Sequence, residues 1–175
     1  MNKPYISPET KLNELTLKSV IIGATLSVVL GAANAYFGLF SGLTVSASIP
    51  AAVISMAVLK AFKNSNILEN NLIQTAASAG ESLAAGIIFT APALVIMGYW
   101  ESFNYIETTL IAICGGVLGV LFTIPLRKAL IVKEKLAFPE CVATAEVLKT
   151  GEKGGDSIKY LIIGSLLGGL YKFGF

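Results

Sequence analysis

From Ser19 to Leu59 the chain carries no charged side chain, a run of 41 residues between Lys18 and Lys60. As one helix it would reach about 60 Å, roughly twice the ~30 Å hydrocarbon core of a bilayer. A single span cannot use that length, so the run must turn back on itself. The cluster Phe37-Gly38-Leu39-Phe40-Ser41-Gly42 is the natural turn, because two glycines relax the backbone there. Ala33-Asn34-Ala35 loosely resembles a leader-cleavage site, but the apolar run continues far past it, where a mature soluble domain should begin. The pattern is that of an integral membrane protein.

Composition narrows the functions available. Apolar residues make up 54% of the 175 residues and charged ones 14%, against roughly a quarter charged in soluble domains. The net charge of +2, with no interleaving of basic and aromatic residues, gives nucleic acid nothing to bind. The absence of histidine removes His-based triads and His metal sites. Cys114 and Cys141 form no CxxC pair, which argues against a zinc site or a disulfide framework, and no cofactor is expected. No Ser/Lys, His/Glu or paired-Asp arrangement lies within the apolar segments, so an enzyme is not expected either.

The expected fold is an all-α, polytopic bundle of about five transmembrane helices. Residues 1–16 are polar, with Ser7-Pro8-Glu9 as a possible helix start. Spans are expected at about 17–37, 43–62, 70–99, 106–127 and 157–175, with a hydrophilic connection over 128–156 that holds a short helix near 139–149. Lys3, Lys11, Lys18, Lys60, Lys63, Arg127, Lys128, Lys133, Lys135, Lys149, Lys153 and Lys159 all fall on one side of this layout. The positive-inside rule makes that side cytoplasmic, with the N-terminus inside and the chain multi-pass in the cell membrane. Only Lys172 stands apart. The last segment ends at Phe175 with no flanking anchor, and reads as part of a larger protein cut short.

The third span carries the strongest chemical signal. At 100° per residue, Asn70, Gln74, Ser78 and Glu81 lie within about 80° of one another, and Asn71, Thr75 and Ser82 widen the stripe to about 140°. Unpaired polar groups in hydrocarbon cost several kcal/mol, so the stripe must face other helices or water. Glu81, about 15 Å along the helix, is near the bilayer midplane, where an ionisable residue is a functional candidate. The alternative is an interhelical hydrogen bond from a protonated carboxyl. Ser27, Gly31, Asn34 and Gly38 align on the first span, and Thr44, Ser48, Ala51 and Ser55 on the second, spacing that suits close packing. Asn34 and Tyr36 are placed to line an entrance, although Tyr36 also suits an interfacial anchor. Phe138-Pro139-Glu140 begins a helix with good capping chemistry, and Glu140 and Glu146 lie about 120° apart, too far for a paired acid/base site.

Three stretches together resemble the oligopeptide transporter family, which includes peptide carriers and yellow-stripe-like carriers of metal chelates. They are Asn34-Ala35-Tyr36-Phe37-Gly38-Leu39 running into Ser41-Gly42-Leu43-Thr44-Val45-Ser46-Ala47-Ser48-Ile49-Pro50; Glu69-Asn70-Asn71-Leu72-Ile73-Gln74-Thr75 with Ala79-Gly80-Glu81-Ser82; and Phe138-Pro139-Glu140 with Ala145-Glu146-Val147-Leu148. Cys141 departs from the family pattern, which generally has glycine there. The resemblance implies the N-terminal portion of a proton-coupled symporter of short peptides or peptide-like metal chelates, completed by a missing C-terminal portion. Glu81 would be the protonatable or substrate-ammonium-binding group, with Asn70, Gln74 and Ser78 along the path. The alternative is a transport-incompetent membrane fragment, or a subunit needing a separately encoded remainder. The DNA downstream of Phe175 separates these cases.

Overall fold

The computed structural model describes residues 5–7, 9–62 and 64–153, with isolated positions 163, 164 and 167 beyond them. All its regular structure is helical: α1 Leu17–Ser41, α2 Ser48–Leu59, α3 Ile67–Ile96, α4 Tyr105–Leu126 with a π-helical continuation Arg127–Lys133, and α5 Pro139–Lys153. Three of these are long and apolar enough to cross a membrane: α1, α3 and α4 with its continuation. The segment expected over 157–175 lies outside the described residues apart from those three positions.

Helix starts follow side-chain chemistry. Thr16 caps α1 by accepting the Ser19 N–H at 3.1 Å, while the Ser19 hydroxyl accepts the Thr16 N–H at 3.0 Å, a reciprocal capping box. Asn66 does the same for α3, accepting from Leu68 and Glu69 N–H at 2.9 and 3.1 Å. The start expected at Ser7-Pro8-Glu9 yields only a turn, in which the Ser7 carbonyl accepts the Thr10 N–H at 3.0 Å. Carbonyls beyond it are engaged elsewhere: Asn13 accepts from the Asn66 amide at 2.8 Å and Glu14 from the Ser19 hydroxyl at 3.3 Å.

The uncharged run does turn back, but the helices do not divide it as the sequence suggests. α1 continues to Ser41 and ends on Gly42, whose φ of 73° is left-handed and suits glycine. Residues 43–47 are then non-helical, and α2 begins only at Ser48. Pro50 accounts for the late start. It has no N–H for the Ser46 carbonyl and its ring would crowd that carbonyl, so it is tolerated only in a first turn. At 12 residues, α2 is about 18 Å long, too short to cross a bilayer alone.

α1 and α3 form the tightest pair. A Cβ on Gly31 would lie 3.3 Å from the Gly80 carbonyl oxygen, and one on Gly80 would collide with the Ser27 side chain. Small residues at such a contact let backbones approach closely, the usual route to helix association in lipid. α5 lies alongside α2 and parallel to it. Glu140 meets Ser46 at one end, Leu148 shares a core with Ala52 and Ile67, and Gly151 abuts Met56 at the other. α4 stands apart and buries no residue. Past Pro125, which offers no N–H, its pairing widens until the Glu134 N–H reaches the Ala129 carbonyl five residues back, at 3.0 Å.

Candidate functional site

The polar stripe of α3 is divided among its neighbours. Asn70, 4% exposed, bonds to the Ser55 hydroxyl of α2, which also donates to the Ala52 carbonyl at 3.1 Å. Ser78 meets the Ser48 hydroxyl at 3.0 Å, at the first residue of α2. Glu81, 6% exposed, instead faces α1 and accepts the Asn34 side-chain N–H at 2.6 Å. An arc of 80° on one helix reaches both neighbours, because α1 and α2 pack on adjacent sides of α3.

Asn34 is the junction of this arrangement. Its amide nitrogen donates to Glu81, and its amide oxygen accepts the Val45 backbone N–H at 3.1 Å. Val45 lies in the middle of the non-helical stretch, where a backbone N–H has no helical partner. Unpaired backbone at membrane depth is tolerated only where protein or water satisfies it, and Asn34 supplies that acceptor. Glu81, the fifteenth of the thirty residues of α3, thus holds the side chain that holds the broken segment.

On the other side of α3 is a cavity of about 440 Å³, whose polar lining includes Ser48, Asn71, Gln74, Thr75, Ser78, Ser82, Glu140 and Thr144. Of the residues singled out from sequence, Gln74 and Ser78 line it; Asn70, Asn34 and Glu81 do not, and buttress the elements that form it. Tyr36 is not brought to either place. It is exposed on α1, with its ring stacked 6.2 Å from that of Phe40. A larger groove between α3 and α4, about 630 Å³, has mainly aliphatic and glycine walls apart from Tyr105, Thr108 and Thr109.

Two groups of functional interest escaped the sequence reading. Glu140 has the sequence context of a helix cap, yet it also accepts the hydroxyl of Ser46 from the non-helical stretch. Pro50 was the available signal, since a proline confined to a first turn announces a broken segment upstream. The second group closes the end of the bundle where α1 and α3 begin. Glu69, 1% exposed, accepts the Thr16 hydroxyl at 2.6 Å and pairs with Lys18 at 2.9 Å, while Lys18 also lies 5.7 Å from the centre of the Phe62 ring. Among the described residues no three of Cys, Asp and Glu come together as metal ligands.

The family model of the OPT oligopeptide transporter protein matches residues 14–175. The chain belongs to the oligopeptide transporter family. A Haemophilus influenzae protein named as an oligopeptide transporter is 54% identical over 140 residues, covering 79% of this chain and 22% of the relative. A Saccharomyces cerevisiae protein of the same designation is 29% identical over 78% of the chain and 22% of its own length. A metal-nicotianamine transporter of Arabidopsis thaliana is 29% identical over 90% of the chain and 27% of its own length. The chain therefore spans about a quarter of the length of the relatives it matches. No solved structure matches it.

Membership in the oligopeptide transporter family relates this chain to membrane transporters and not to enzymes. It also gives the three stretches quoted from sequence a common location. Asn34 to Pro50 forms the end of α1, the broken segment and the start of α2; Glu69 to Ser82 is the first half of α3; Phe138 to Leu148 is most of α5. Ser48 from the first stretch, and residues of the second and third, line the polar cavity.

Proposed function

We propose that the chain is the N-terminal portion of a secondary transporter that imports short peptides or peptide-like metal chelates across the cell membrane by proton symport, with its N-terminus in the cytoplasm. The observation that supports this most is the bridge from Glu81 through Asn34 to the Val45 N–H. Transporters commonly build substrate sites near the midplane from interrupted helices, whose freed backbone groups line the site. Here α2, which begins where the interruption ends, supplies Ser48 to the cavity wall, and the interrupted segment is held by a side chain bonded to an ionisable group.

In this reading Glu81 is the protonatable group. As a carboxylate it accepts the Asn34 N–H strongly; once protonated it is a weaker acceptor, and the hold on residues 43–47 loosens. Proton binding and movement of the cavity wall are then one event. Gln74 and Ser78 offer amide and hydroxyl groups to a polar substrate, and Asn70 anchors α2 beside them. The cationic residues near the start of α1 and the end of α2 support the cytoplasmic placement of that end. The remainder of the cavity is supplied by further spans of the full-length carrier.

The test is Glu81→Gln in the full-length protein, reconstituted in liposomes with tetra-alanine as the peptide probe. Uptake driven by a pH gradient should be lost, while exchange of labelled for unlabelled peptide at equal pH continues. Gradient-driven uptake equal to wild type removes Glu81 from proton coupling.

A further inference from the structure

The connection between the fourth and fifth apolar segments reads from sequence as hydrophilic and cytoplasmic, but its helix does not lie outside the bundle. α5 packs along α2 with Leu148 at the level of Ile67, the first residue of α3. From Leu148 the helix climbs eight residues to Glu140, about 12 Å into the bundle. Glu140 meets Ser46, next to the Ser48–Ser78 contact, and Ser78 is itself eleven residues or about 17 Å from the start of α3. Two independent paths thus put Glu140 near the middle of a core of about 30 Å.

A carboxylate at that depth is costly in lipid and persists where it faces protein or a water-filled cavity. Glu140 faces such a cavity, and no Lys or Arg is among its lining residues. Around it are acceptor-bearing groups: the hydroxyls of Ser48 and Ser78 and the side-chain oxygen of Gln74. Gln74 is 8% exposed, and its amide oxygen accepts the Thr75 hydroxyl at 3.4 Å. The starts of α2 and α5 both lie at this point, and each helix start carries a partial positive charge. Each such end is worth only a fraction of a charge, so the full charge of the carboxylate sets the sign of the cavity.

We infer that α5 is a re-entrant helix whose tip carries a binding residue, Glu140, which takes the ammonium group of an organic cation entering the cavity. An ammonium has donors and no acceptor, matching one carboxylate surrounded by hydroxyl and amide oxygens. The Ser46 hydroxyl donates to Glu140, so an ammonium at Glu140 competes with the bond that ties the broken segment to α5. This assignment deepens the transport reading and gives the substrate-ammonium role to Glu140, leaving proton binding to Glu81.

The test measures the charge of the cavity without needing the substrate. In the full-length protein with its native cysteines replaced, Ser78→Cys is reacted with a trimethylammonium methanethiosulfonate and with its sulfonate counterpart. The cationic reagent should react at least tenfold faster, after normalisation to a free thiol, since one charge within about 12 Å at an effective dielectric of about 20 already contributes a factor of about ten. Glu140→Gln should abolish that preference and Glu140→Asp should retain it, each read on protein that elutes as a monodisperse species. A preference unmoved by Glu140→Gln, or a wild-type cavity that favours the sulfonate, overturns the assignment. If the charge preference behaves as expected but wild-type liposomes take up no tetra-alanine, the peptide-transport reading fails and the assignment of Glu140 stands.

Discussion

Removing Asn34 should cost more than a single interhelical hydrogen bond, and the structure says by how much. Asn34→Ala deletes a charge-assisted bond of 2.6 Å to Glu81 and a neutral bond of 3.1 Å to the Val45 N–H, leaving a buried carboxyl and a backbone N–H without that partner. Polar contacts between membrane helices average about 0.6 kcal/mol and reach about 1.7, since a separated helix also finds partners. The short contact to a carboxylate belongs at the upper end of that range. We expect a coupling energy of about 1.5 kcal/mol between Asn34 and Glu81, and a total loss near 3 kcal/mol for Asn34→Ala once the unpaired Val45 N–H is added. The measurement is a double-mutant cycle with Asn34→Ala and Glu81→Ala in the full-length protein, unfolded by SDS from bicelles and followed by circular dichroism. The cycle cancels the packing lost at each site and isolates the pair. A coupling below about 0.5 kcal/mol would refute the reasoning, because Glu81 would then not control Asn34.

Two other perturbations probe different parts of the bundle. Gly80→Ala should destabilise by about 1–3 kcal/mol, because its Cβ meets Ser27, whereas Gly86→Ala, with nothing within 4 Å of the new carbon, should be neutral or slightly stabilising in the same unfolding assay. Tyr5 donates its hydroxyl to Glu152 at 2.9 Å, which raises its pKa above the ordinary 10.0. That contact contributes fully below pH 10 and is lost as pH rises through the raised value. A difference titration at 295 nm against Tyr5→Phe should show a late-titrating phenol, and Glu152→Gln should bring it back toward 10.0.

The parts of the fold legible in the sequence are those governed by a bilayer's intolerance of unpaired polar groups. Such groups at Asn70, Gln74, Ser78 and Glu81 required helical neighbours or water, and each has one or the other. The glycines of α1 required a close partner, and Gly80 of α3 is that partner for Gly31. Which neighbour each polar group chose was not legible. Angular position on α3 does not say where α1 and α2 will sit, so a stripe read as one path became two faces, one toward Asn34 and one toward the cavity. The depth of α5 was hidden for a similar reason. Its first turn, Pro139-Glu140, is good capping chemistry wherever the helix lies, and only the contacts of Glu140 with Ser46 and of Leu148 with Ala52 and Ile67 distinguish a surface helix from one that dips inward.

The non-helical stretch also constrains how the chain is made. Asn34 of α1 is already present to accept the Val45 N–H, but the other bonds wait for elements synthesised later: Ser48 waits for Ser78, Ser46 waits for Glu140, and Asn34 gains its second partner only when Glu81 emerges. When α1 and the run after it first enter the membrane, Ser78, Glu81 and Glu140 do not yet exist, and an extended backbone there would leave most of its amides bare in lipid, those of Leu43 and Val45 excepted. Residues 43–47 must therefore be sheltered during biogenesis, in the insertion machinery or as a temporary extra turn of helix that later unwinds. Assembly of the site is in this sense a refolding step inside the bilayer, timed by translation of α3 and completed by α5.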